Sequence, residues 1–164
     1  MNTQSKQING SKSGFTIIEV VLVLAIAGLI FLMVFLALPA LQRNQRDTQR
    51  KQDLSRFLSQ ISSYQSNNRG QIPNATTMST FITSYMRSGS DTFTDPSGGD
   101  YVLTNVSRVP SMNATTGVAE FNYMVGTTAS CAAGVPSASG SASTGRKIAV
   151  SIALEGGGAY CQTN

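Results

Sequence analysis

Histidine and tryptophan are absent from this 164-residue chain, and cysteine occurs only twice. Without histidine, the commonest general base and metal ligand is missing. No G-x-S-x-G elbow, Walker loop or paired-carboxylate context takes its place. The run Gly156–Gly158 lacks the Lys and Ser/Thr that a phosphate loop needs. These absences argue against an enzyme: no catalytic residue, metal or cofactor is expected. The two cysteines, Cys131 and Cys161, form no C-x-x-C or Cys/His pattern for a metal. An even pair confined to one end suits a single disulfide in an oxidising compartment, with two unrelated free thiols as the alternative.

Charge is scarce as well, at 12% of residues with a net +4. Its placement is more informative than its sum. Lys6 and Lys12 stand near the N-terminus, and Arg43, Arg46, Arg50, Lys51 and Arg56 cluster further on, diluted by Asp47 and Asp53. A nucleic-acid reader spreads basic residues and aromatics over a folded face. Here the cluster abuts an apolar run, so membrane lipid head groups are the expected counter-charge and DNA a lesser candidate.

What the sequence does have is one long hydrophobic stretch. Phe15–Leu41 is 27 residues with a single charge, Glu19. As a helix it reaches roughly 40 Å, enough to cross a bilayer with some tilt. A secretory signal has a shorter apolar region followed by a small-residue cleavage site, whereas here the small residues precede the run. The segment is therefore expected to remain in the mature protein. A carboxylate at the bilayer centre costs about 2.5–3.5 kcal/mol and is usually paired and functional. Taken alone, Glu19 is equally a residue near enough to the helix end to reach the interface.

The register decides between these readings. Gly14-Phe15-Thr16-Ile17-Ile18-Glu19-Val20-Val21 resembles the cleavage and methylation signature of type IV prepilins and pseudopilins. The resemblance implies a prepilin peptidase that cuts between Gly14 and Phe15 and N-methylates Phe15. It also implies that Glu19, at the fifth mature position, pairs with a neighbouring subunit's N-terminus and sets the axial register of assembly. The physics agrees: cleavage creates an α-amino group four residues from Glu19, on the same helix face. Pro39 falls later than the proline often seen in pilin helices. It marks either a helix kink or the membrane exit.

Beyond Leu41 the pattern stays helical. Leu54, Phe57, Leu58, Ile61 and Tyr64 share one face, and Gly70 and Pro73 end the period. The stretch also resembles the end of a pilin helix, with a basic, Asp-containing collar and an Asn-x-Gly-x-x-Pro exit. A short helix is predicted at Thr77–Arg87 and a loop at Ser90–Asp100. Asp91, Asp95 and Asp100 in that loop do not follow the EF-hand spacing, and Asx turns account for them. Strands are predicted at Tyr101–Val109, Val118–Val125 and Lys147–Leu154. The small-residue stretch between the last two, with Cys131, reads as a surface loop. Asn74, Asn105 and Asn113 begin N-x-Ser/Thr triplets and are given no role.

The expected architecture is α+β: a long N-terminal helix, apolar half in membrane or filament core, amphipathic half packed on a small antiparallel β-sheet head. The expected divisions are a leader at 1–14, a transmembrane and filament-core helix at 15–41, its amphipathic continuation at 42–67, and a soluble head at 68–164. The resemblance implies a structural subunit of a type IV pilus-like filament. Its partners would be the prepilin peptidase, other pilin subunits, the inner-membrane assembly machinery and lipids. The rivals are a pseudopilin of a secretion or competence system and a single-pass anchored binding protein. Two basic residues before the run and five after it favour a cytoplasmic C-terminus by the positive-inside rule. The cysteine pair and the leader favour a head outside the cytoplasmic membrane, and afterwards on an extracellular filament.

Overall fold

The computed structural model describes residues 14–89 and 92–164. They divide into a helical unit ending at Ala40 and a compact unit, Leu41–Asn164. Helix α1 spans Ile17–Asn67, and Pro39 lies inside it. In its second half Leu54, Phe57, Leu58 and Ile61 are buried on the predicted face. The helix stops where the sequence predicts, by a left-handed turn. Arg69 and Gly70 adopt φ of 54° and 80°, and the Gly70 N–H donates back to the Gln65 carbonyl at 2.7 Å. This six-to-one bond is the mark of a Schellman termination.

The short helix α2, Met78–Phe81, runs straight into a π-helical turn, Ile82–Met86. Met78, Phe81 and Met86 are buried, as their spacing predicts. The main sheet has the order β1-β2-β5-β6: Val102–Asn105, Glu120–Gly126, Lys147–Ala153 and Ala159–Thr163. Its pairings are antiparallel except at one edge, where β1 lies parallel to β2. The sheet is therefore mixed. Phe121, Tyr123 and Val125 stand opposite Ile152, Val150 and Ile148 in register, so one apolar face is continuous across β2 and β5. It joins the buried side of α1 in a single core. Phe57 sits at its centre, with ring centroids 5.0 Å from Phe121 and 5.5 Å from Phe81.

Two expectations are corrected. The stretch read as a surface loop is a hairpin, β3 (Thr128–Ala132) and β4 (Val135–Ser139). It lies close against the sheet: a Cβ on Gly126 would meet the Ser139 carbonyl oxygen at 2.4 Å. The Ser151 hydroxyl donates to the Gly134 carbonyl at 2.5 Å. The first strand is also shorter than predicted, Val102–Asn105, because the chain from Val106 onward turns back to pair Met112 with Ala119. A further strand, β6, carries Cys161. The structure joins Cys161 to Cys131, so the hairpin and the edge strand are covalently tied.

Candidate assembly site

At the N-terminus, Gly14, Phe15 and Thr16 lie ahead of the helix, which begins at Ile17. Thr16 occupies the N-cap. Its carbonyl accepts the Glu19 and Val20 N–H groups at 3.2 and 3.3 Å, and its hydroxyl oxygen accepts the Glu19 N–H at 3.4 Å. Thr16-Ile17-Ile18-Glu19 has the T-x-x-E spacing of a capping box, and the acid in the first turn complements the helix dipole. This positioning role of Thr16 was legible in the sequence but was not among the predicted site residues.

Phe15 and Glu19 come together. With Val20, Val23 and Leu24 they line a shallow groove of about 330 Å³ that is apolar apart from the carboxylate. The large side chains around it stay exposed, Phe15 and Ile17 each at 85%. The helix is long and apolar enough to cross a membrane by length and composition.

The basic collar takes a different role from the predicted one. Arg50 is fully buried. Its Nε and Nη2 each lie 2.8 Å from a carboxylate oxygen of Asp95. Its Nη1 lies 3.1 Å from Asp47 and 2.9 Å from Glu155. Arg46 grips Glu155 through two bonds of 2.7 and 2.6 Å. Asp47 in turn accepts the Glu155 and Gly156 N–H groups at 2.8 and 2.9 Å. Arg56 donates to the Met86 carbonyl at 2.8 Å. Three of the five cations assigned to lipid head groups are thus used within the head. Burial alone would raise the Asp95 pKa, but hydrogen bonds from Arg50, Ser97 and Ala119 outweigh it and hold it below the usual range. Glu155 is likewise held low, first by the bond from Arg46.

The loop aspartates have structural partners. Asp95 accepts the Ser97 N–H at 2.8 Å, an Asx turn, and Asp100 pairs with Arg87 at 2.5 Å. Asp91 lies outside the described residues, as do Lys6 and Lys12. Asn74 and Asn113 each accept two backbone N–H groups of their own turns.

Residues 9–35 match the family model for the prokaryotic N-terminal methylation motif. The chain carries a prepilin-type N-terminus. Its motif takes in Gly14, Phe15 and Glu19 and ends before Pro39, leaving the head outside the match. Together with the long apolar helix and the α+β head, it supports a type IV pilin-like or pseudopilin protein, a structural subunit. The motif implies a prepilin peptidase and other pilin subunits as partners, and helix and motif together fit a membrane-anchored precursor. No curated protein and no solved structure matched the chain.

Proposed function

We propose that this chain is a precursor cut between Gly14 and Phe15, N-methylated at Phe15, and polymerised through residues 15–41 into a type IV pilus-like filament. Residues 1–14 are the leader, 42–67 continue the helix, and 68–164 complete the head outside the membrane. The observation that carries this reading is the register. One acid, Glu19, stands in an apolar groove four residues from the new N-terminus. A carboxylate in that setting needs a cation, and the α-amino group of a neighbouring subunit supplies one at the right depth.

Two features support processing. The Gly14–Phe15 bond precedes the helix, where a peptidase can bind it extended. Among the described residues nothing lies within 4 Å of a Cβ built on Gly14, so no packing contact among them requires glycine there. Its lack of a side chain serves the peptidase. The inner-membrane assembly machinery would then extract the processed subunit. Mass spectrometry of protein from its native membrane is expected to find a mature chain beginning at methylated Phe15; any other start rejects the proposal. A pseudopilin shares every one of these features and is separated by the absence of long surface filaments.

A further inference from the structure

Beyond the apolar run the charges are unevenly shared. Of the 12 cationic side chains Lys6 and Lys12 precede that run, and of the 8 acids Glu19 lies inside it, which leaves ten cations against seven acids after Leu41. Arg46 and Arg50 are matched by Asp47, Asp95 and Glu155, Arg87 by Asp100, and Arg108 by Glu120. Three others, Arg69, Arg146 and Lys147, are exposed and gather where α1 ends. Gln65 of α1 donates to the Arg146 carbonyl at 2.9 Å. The Arg146 guanidinium carbon lies 3.7 Å from the place a Cβ would take on Gly70, next to Arg69. Lys147 donates to the Asn164 carbonyl at 3.2 Å. Among the described residues no acidic side chain pairs with any of the three. A surplus of one sign gathered at one corner marks a surface for the opposite charge.

Folding alone does not explain these residues. Arg69 takes a left-handed φ of 54°, where glycine or asparagine sits at lower cost. Its side chain has no hydrogen-bond or ion-pair partner among the described residues. The dipole of α1 favours a cation at this end, but it does not call for one in a left-handed position. Arg146 beside it adds repulsion, which an anion shared between the two guanidiniums would remove.

We propose that Arg69 and Arg146, with Lys147 at their side, form a binding surface for an acidic polysaccharide whose sugars carry carboxylates. A guanidinium fork binds a carboxylate through two parallel bonds. The exposed amides of Asn67 and Gln71 flank Arg69, and the exposed Thr144 hydroxyl stands two residues before Arg146. Sugar hydroxyls therefore find donors and acceptors beside the charges. A nucleic acid fits less well. Every aromatic ring after Leu41 is buried or half-buried, which leaves no open ring for a base to stack on. Three cations also fall short of the roughly 6–10 phosphate contacts that hold duplex DNA. The surface belongs to the head and does not depend on polymerisation.

The test passes full-length protein in detergent over immobilised polygalacturonate, neutral dextran and duplex DNA. Retention is expected on polygalacturonate above both others, and it weakens as salt rises. R69N suits the left-handed turn and R146Q keeps most of the side-chain stem, so an unchanged urea midpoint by tyrosine emission is expected for both. The double variant is expected to bind roughly tenfold more weakly or worse, and each single variant to fall between it and the wild type. R43Q, which removes a cation near the start of the head, is expected to stay within about twofold of wild type. No retention on polygalacturonate, equal retention on dextran, or stronger retention on DNA overturns the proposal. So does a double variant, or either single variant, that binds as the wild type does.

Discussion

Replacing Arg50 by methionine removes one guanidinium and leaves three carboxylates facing its place. Asp95 is affected most. It is buried, with 2% exposure, and takes two of the Arg50 bonds at 2.8 Å. In Arg50→Met it keeps only the Ser97 hydroxyl and the Ser97 and Ala119 N–H donors. Breaking a buried pair in this way costs about 3–5 kcal/mol, because the surviving charge stays desolvated. With an m-value of about 2 kcal/mol/M, the urea midpoint falls by roughly 2 M. Tyrosine emission reports the head alone, since the chain has no tryptophan and all five tyrosines follow Leu41. The pH dependence carries the sharper sign. In the wild type Asp95 is depressed, so its contribution is complete above the unfolded aspartate value of about 3.9 and is lost only as pH falls through its lower folded value. In Arg50→Met that depression weakens, because desolvation is then opposed only by the Ser97 and Ala119 donors, so the variant loses less stability on acidification than the wild type does. Asp95→Asn in the same background relieves part of the loss at neutral pH. An unchanged urea midpoint, or a mutant that weakens on acidification as the wild type does, refutes the reasoning.

Glu19→Ala is expected to leave cleavage at Phe15 intact, because Glu19 lies outside the scissile pair, while incorporation into filaments falls sharply. Immunoblots of membranes and of sheared filaments, quantified separately, check this, and normal filament yield rejects the pairing role. The Cys131–Cys161 bond spans 30 residues, and the chain-entropy model assigns such a loop about 3–4 kcal/mol. The double Cys→Ser variant is expected to lose stability of that order in the same urea titration, and peptide mapping without reductant to recover the linked pair.

The sequence showed most of what depends on strong contrast. The second half of α1, β2 and β5 are legible because large apolar residues recur at a fixed period against polar or small ones. The β3–β4 hairpin does alternate, with Ala129, Cys131, Pro136 and Ala138 on one face and Thr128, Ser130, Ser137 and Ser139 on the other. Alanine against serine is too slight a contrast for a periodicity argument to detect. The N-terminal site was legible because all its parts lie within six residues. The cluster around Arg50 was not, because Asp95 and Glu155 are 45 and 105 residues away along the chain and only the fold brings them together. The partners that Arg46, Arg50 and Arg56 find within the head were hidden for the same reason.

The three carboxylates around Arg50 belong to different parts of the chain: Asp47 to α1 itself, Asp95 to the loop before β1, and Glu155 to the turn between β5 and β6. An axial pull on α1 therefore meets the Asp95 and Glu155 attachments in parallel, while Asp47 holds the head through the Glu155 and Gly156 N–H groups it accepts. Arg50 and Arg46 share the load among loops that the sheet and the disulfide already hold, so the helix cannot slide from the head one ion pair at a time. These ionic attachments leave α1 from a single turn of helix, five to nine residues beyond the end of the apolar run, ahead of the apolar face that packs in the core.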